Sequence, residues 1–156
     1  MARHMRILFA VLHLLALGIG LGGVFARARA ANRLRHGPES LPQLFAADTW
    51  WGIAAFLWIS TGLTRVFAGY DKSTAYYWEN HIFLAKMGLL LIVIALEIWP
   101  MITLIRWRRE SARGTLAPTE LAPVGRRIAR ISDVQTLLVI AMVAAATMMA
   151  RGYGAR

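Results

Sequence analysis

Residues 11–23, VLHLLALGIGLGG, are hydrocarbon throughout except for one imidazole, His13. A bilayer's hydrocarbon layer is about 30 Å thick, and about 18 or more mostly apolar residues cross it as a helix. The apolar run around His13 extends over 7–25, and three more follow at about 46–67, 82–105 and 131–150. None alternates with the period of two that marks a half-buried strand. Helices also satisfy their own backbone groups in lipid, which open strands cannot do. The fold class expected is all-α: an integral membrane four-helix bundle, one domain over 1–156. Composition agrees, since 58% of the residues are hydrophobic and mean hydropathy is +0.50. The basic start and the FARARA stretch at 25–30 imitate a signal peptide. The apolar run is longer than such a segment needs, and it reads as a retained helix.

The net charge of +10 invites a nucleic-acid reading, but the basic residues sort by topology instead. Eleven arginines fall in the connections 26–45 and 106–130, against six basic residues in the other connection and the ends. Arginine excess marks the cytoplasmic side. Both termini are therefore expected on the non-cytoplasmic side of a bacterial inner membrane, in a multi-pass protein without nucleic acid. Both connections read as loops, the first broken by Gly37, Pro38 and Pro42, the second by Gly114, Pro118, Pro123 and Gly125. Trp50, Trp51, Trp99 and Trp107 fall near one interface, and Tyr70, Tyr76, Tyr77 and Trp78 near the other, as aromatic belts. Cysteine is absent, which excludes disulfides and thiolate metal sites.

Ionisable groups at membrane depth are costly and are functional candidates by default. They fall into two layers. A basic layer in the outer half holds His13, Arg65, His81 and Lys86. An acidic layer near the cytoplasm holds Asp48, Glu97 and Asp133, with Asp48 and Asp133 read as charges at helix starts. Lys86 and Glu97 share one face of the third helix but lie about 16 Å apart along it, too far to pair. Ala16, Gly20 and Gly23 follow His13 on one side of the first helix, at offsets of three, seven and ten. Gly18 and Gly22 form a second small pair, suited to close helix packing. Small residues beside an imidazole also leave space for a flat macrocycle. Haem in a helical bundle needs an axial nitrogen, an apolar slot and cations for its propionates. His13 offers the metal-binding nitrogen, Gly20 the slot, and Arg65 and Lys86 the cations. The plain alternative is a histidine hydrogen-bonded to a neighbouring helix.

The stretches HLLALGIGLGGVFARARA, DTWWGIAAFLWISTGLTRVF and FLAKMGLLLIVIALEIWPMITLIRW resemble a family of small, uncharacterised bacterial four-helix membrane proteins (DUF2214-like). More distantly, the early histidine of the first helix and the early lysine of the third resemble HemJ-type protoporphyrinogen oxidases and CopD-like membrane domains. That resemblance implies haem b, with His13 and Lys86 as functional residues. It departs at RISDVQT, 130–136, where the HemJ-type proteins have Asn-Glu followed by proline.

The leading expectation is thus a small membrane protein that binds haem b and transfers electrons or oxidises a porphyrinogen, with quinone as another candidate substrate. Lys86 and Glu97 are its candidate catalytic, proton-handling groups. Two alternatives stand beside it: a small permease using the buried charges, and a non-catalytic partner of another membrane subunit. A homodimer would suit the first of these. No phosphate-binding glycine loop, nucleophile elbow or zinc-protease motif is present, and the histidines and methionines define no copper site by their spacing.

Overall fold

A computed structural model of the chain describes residues 2–67 and 79–153. Four long helices account for nearly all of it: α1 Ala2–Arg33, α2 Leu41–Phe67, α3 His81–Arg113 and α4 Pro118–Ala150, with a 3-10 turn at Pro38–Ser40. No strand occurs among the described residues. The aromatic group Tyr70, Tyr76, Tyr77 and Trp78 lies outside them.

The two connections expected as loops are mostly helix. Ala26, Ala28, Ala30 and Ala31 are strong helix formers, and nothing breaks the backbone before Gly37, so α1 continues to Arg33. The stretch 106–130 divides between the end of α3 and the start of α4. Gly114, at φ 67°, closes α3 in the left-handed conformation that glycine adopts most freely. Pro118 then opens α4, where its missing N–H costs nothing. Asn80 caps α3, its side-chain oxygen accepting from the N–H groups of Ile82 at 2.9 Å and Phe83 at 3.2 Å. Asp48 and Asp133 consequently stand inside helices rather than at their starts.

Three helices, α1, α3 and α4, are long and apolar enough to cross a membrane. α2 has 27 residues, or about 40 Å at 1.5 Å per residue, which is also enough length. Its Trp50, Trp51 and Trp58, its hydroxyls, Asp48 and Arg65 make it less apolar, and it lies against α1 along its length. α1 packs on α2 and on α4, α4 packs on α3, and α2 approaches α3 little. Successive helices run antiparallel. One end of the bundle therefore carries both chain termini (the terminal end), and the other carries the α1–α2 and α3–α4 connections (the connector end).

Packing is densest at the connector end, where Ala30, Ala31, Leu34, Leu44, Leu104, Trp107 and Ile128 form one core. Val24, Trp51, Val93 and Val139 continue it to mid-depth. Trp51 and Trp107 are thus core residues and not members of an interfacial belt; Trp50 is exposed. The outside of the bundle is apolar instead: Phe56, Leu91 and Leu137 are each about two-thirds exposed or more (71%, 66% and 67%). Such a surface suits lipid and would be a liability in water.

The glycines sort by face. A Cβ on Gly23 would lie 3.0 Å from the backbone nitrogen of Trp51, and one on Gly125 2.7 Å from the carbonyl oxygen of Ala31. These two glycines let α2 and α4 approach α1. Gly18 and Gly22 meet nothing within 4 Å, so the small pair they form does not pack inside the bundle. Gly23→Ala and Gly125→Ala should each cost about 1–3 kcal/mol through overpacking, whereas Gly22→Ala should leave the chain as stable or slightly more so. Thermal unfolding of the three variants in one detergent separates these outcomes.

Candidate functional site

The polar side chains inside the bundle form two layers. At the connector end the layer is built on Arg27, which is fully buried. A guanidinium has five N–H donors in a fixed plane, and every one is used. Nε donates to Oγ of Ser132 at 3.0 Å. Nη1 donates to Oδ1 of Asp48 at 3.0 Å and Oε1 of Glu97 at 2.6 Å. Nη2 donates to Oε2 of Glu97 at 2.8 Å and Oε1 of Gln135 at 2.7 Å. The Glu97 contact is the bidentate fork that gives charge-assisted bonds their strength and direction. The network closes on itself. Gln135 Nε2 donates to Glu97 at 2.8 Å and to the carbonyl oxygen of Val93 at 3.2 Å. Arg108 donates to Oδ2 of Asp48 at 3.1 Å and to the carbonyl oxygen of Phe45 at 2.5 Å. Two arginines thus face two carboxylates, and the cluster is neutral. It draws on all four helices, because Arg27 lies on α1, Asp48 on α2, Glu97 on α3 and the Ser132–Gln135 pair on α4.

Glu97 is therefore the bidentate partner of a buried arginine and not an isolated proton carrier. Asp133 pairs with Arg29 at 3.0 Å on the exposed surface, one face away from the cluster.

The second layer lies toward the terminal end, with His13 about 21 Å from Arg27 along α1. Nδ1 of His13 is 2.9 Å from Oγ1 of the buried Thr61. Its ring lies tilted against Trp58, with centroids 5.6 Å apart. Gly62 makes room for the imidazole, since a Cβ there would stand 3.2 Å from Cε1 of His13. Arg65 follows Thr61 by one turn on the same face of α2. Lys86, on α3, is half-buried and close enough to Arg65 for the two charges to repel. Among the described residues no hydrogen bond or ion pair reaches the Lys86 ammonium. The indole N–H of Trp58 is likewise buried without an acceptor.

Three of the expected site residues, His13, Arg65 and Lys86, thus share a layer, while Gly20 and Glu97 do not belong to it. Gly20 is packed, with Ala54 Cβ 3.3 Å from where its own Cβ would be and the Trp51 ring at 3.6 Å. The space left there, lined by Ala16, Gly20, Trp51, Ala54 and Trp58, is about 10 Å³, whereas cofactor sites enclose about 300 Å³ or more. The space beside Gly20 is too small for a porphyrin. No group of three His, Asp or Glu able to hold a metal ion occurs among the described residues.

The chain matches the family of predicted membrane proteins DUF2214 over residues 5–154, and it belongs to that family. The apolar outer surface of its helices agrees with that description. No curated protein and no solved structure matches it.

Removing one member of a buried ion pair strands the other charge, at a cost of about 3–5 kcal/mol. Arg27→Met should destabilise the bundle by that order, and Glu97→Gln by less. The double variant should be less than additive, with a coupling of about 1–3 kcal/mol. Unfolding in a denaturant series provides the three values.

Proposed function

We propose that this membrane protein is a binding protein for an acidic amphiphile, held at the terminal end of the bundle with Lys86 as its charge contact. The observation that carries this reading is the Lys86 ammonium, half-buried on a helix long and apolar enough to cross a membrane, with no hydrogen bond or ion pair among the described residues. An unpaired cation in this setting is expensive, and an incoming anion relieves the cost. Depth selects the ligand class. Lys86 lies about 8 Å along α3 from His81, and a lysine stem carries its charge outward toward the headgroups. An acid group attached to a hydrocarbon tail rests at that level; a free aqueous ion does not. The Trp58 N–H supplies a further donor in the layer, and the slight approach of α2 to α3 leaves a side open to lipid.

The arginine excess supports placing the connector end in the cytoplasm of a bacterial inner membrane and the Lys86 layer on the outer side. The permease reading fares worse, because a transport path would have to pass the Arg27 cluster, whose donors are all engaged. Haem-dependent electron transfer or porphyrinogen oxidation draws its support from resemblance, and the filled space beside Gly20 weighs against it.

The test is thermal unfolding of the purified chain with phosphatidic acid or phosphatidylcholine of identical acyl chains. Phosphatidic acid should raise the melting temperature by several degrees, phosphatidylcholine should not, and Lys86→Met should abolish the difference. Equal effects of the two lipids, or full retention in Lys86→Met, would refute the proposal. So would a Soret band in the untreated protein that disappears in His13→Ala, which would instead establish haem.

A further inference from the structure

The corner between α1 and α2 holds an open cleft of about 320 Å³, lined by Arg33, His36, Glu39, Ser40 and Gln43. Its shape is set by the backbone. Gly37 takes φ 150°, a conformation that side chains rarely tolerate, and a Cβ there would collide with the Glu39 carboxylate. Pro38 opens the 3-10 turn, and the Ser40 hydroxyl ties that turn to α1 by donating to the carbonyl oxygen of Ala30 at 3.0 Å. His36, whose Nε2 accepts from Nε of Arg35 at 2.8 Å, completes the rim. Arg33 and Glu39 thus line one space with opposite charges. Among the described residues neither makes a side-chain hydrogen bond or ion pair, and the Gln43 amide makes none either. Other carboxylates at this end do find arginines: Asp133 pairs with Arg29, and Glu120 with Arg106.

We propose that this cleft binds the phosphoethanolamine headgroup of a membrane lipid, with Arg33 on the phosphate and Glu39 on the ammonium. Depth points to a lipid. Gln43 lies about 5 Å before the apolar run that starts at 46, and Arg33 about 12 Å past the run that ends at 25. The cleft therefore begins in the headgroup layer that covers the hydrocarbon, and the long arginine stem spans the remainder. The mixed sign of the lining selects the headgroup. A guanidinium meets two phosphate oxygens at once, and an ammonium offers three N–H groups to a carboxylate. A purely anionic headgroup would set a like charge against Glu39, and a choline headgroup has no N–H to give it. A phosphate and an ammonium joined by two carbons bridge the two side chains without requiring them to meet. The site lies at the opposite end of the bundle from Lys86 and does not rest on the acidic-amphiphile reading.

The test is native mass spectrometry of the full chain in detergent, titrated with phosphatidylethanolamine, phosphatidylcholine or phosphatidylglycerol of the same acyl chains. Wild type should bind phosphatidylethanolamine about tenfold more tightly than the other two, the worth of one hydrogen bond to a charged group. Glu39→Gln should lose the preference over phosphatidylcholine, and Arg33→Met should weaken phosphatidylethanolamine binding about tenfold. Lys86→Met should change neither. Arg33 and Glu39 are exposed and make no side-chain bonds among the described residues, so both variants should unfold at the wild-type temperature. Equal wild-type affinity for phosphatidylethanolamine and phosphatidylcholine, a preference kept in Glu39→Gln, or full binding by Arg33→Met overturns the proposal. Displacement of the lipid by free phosphoethanolamine at equal concentration also overturns it, by assigning the cleft to a soluble phosphoamine.

Discussion

One guanidinium organises this bundle. Arg27 is removed from solvent completely, in a part of the molecule where an unmatched charge would cost more than the remaining packing could offset. It is tolerable because five acceptor atoms on the other three helices meet its five N–H groups. That requirement fixes the rotation of each helix about its axis and the depth of each relative to its neighbours. Apolar packing between membrane helices supplies no such register, because lipid tails and leucine side chains attract one another equally well. The tight cores of Trp107, Leu104 and Ile128 and of Trp51 and Val139 are arranged on either side of this point.

The terminal end is built on other terms. His13 and Thr61 bond one another there, and among the described residues no carboxylate pairs with Lys86. One layer is saturated and neutral, which suits a structural role. The other is charged and open toward lipid, which suits binding. The two layers lie about 21 Å apart along α1, far enough for each to be built without the other.

Much of this was legible in the sequence. Length and hydropathy define the four helices, and the His13 side of α1 is indeed its inward side, as the burial of Ala16, Gly20 and Gly23 shows. The same spacing of three and four, carried three steps further, reaches Arg27, Ala30 and Leu34, all buried. That continuation was available but was masked by charge: arginines just past an apolar run are ordinarily topology markers, and most of those here are exposed. Glu97 lacked a partner in sequence because its partner lies 70 positions away, a separation that spacing on a single helix cannot bridge. Thr61 gave no signal at all, since a threonine in a helix reads the same whether its second lone pair meets lipid or an imidazole. Gly20 was legible as small and inward-facing, but whether the space beside it is empty depends on the rotamer of Trp51, which no pattern encodes.

The distribution of the Arg27 contacts along the chain also bears on biogenesis. Arg27 emerges from the ribosome early, and the nearer in sequence of its two carboxylate partners, Asp48, follows only 21 residues behind, on the next segment to be made. A lone α1 would have to enter the bilayer with its guanidinium uncompensated; a hairpin of α1 and α2 enters with the charge already half-answered. Glu97, Ser132 and Gln135 arrive later, from the second hairpin, and complete the set. The chain is therefore suited to insertion two segments at a time, with the arginine held by one aspartate until the second pair arrives.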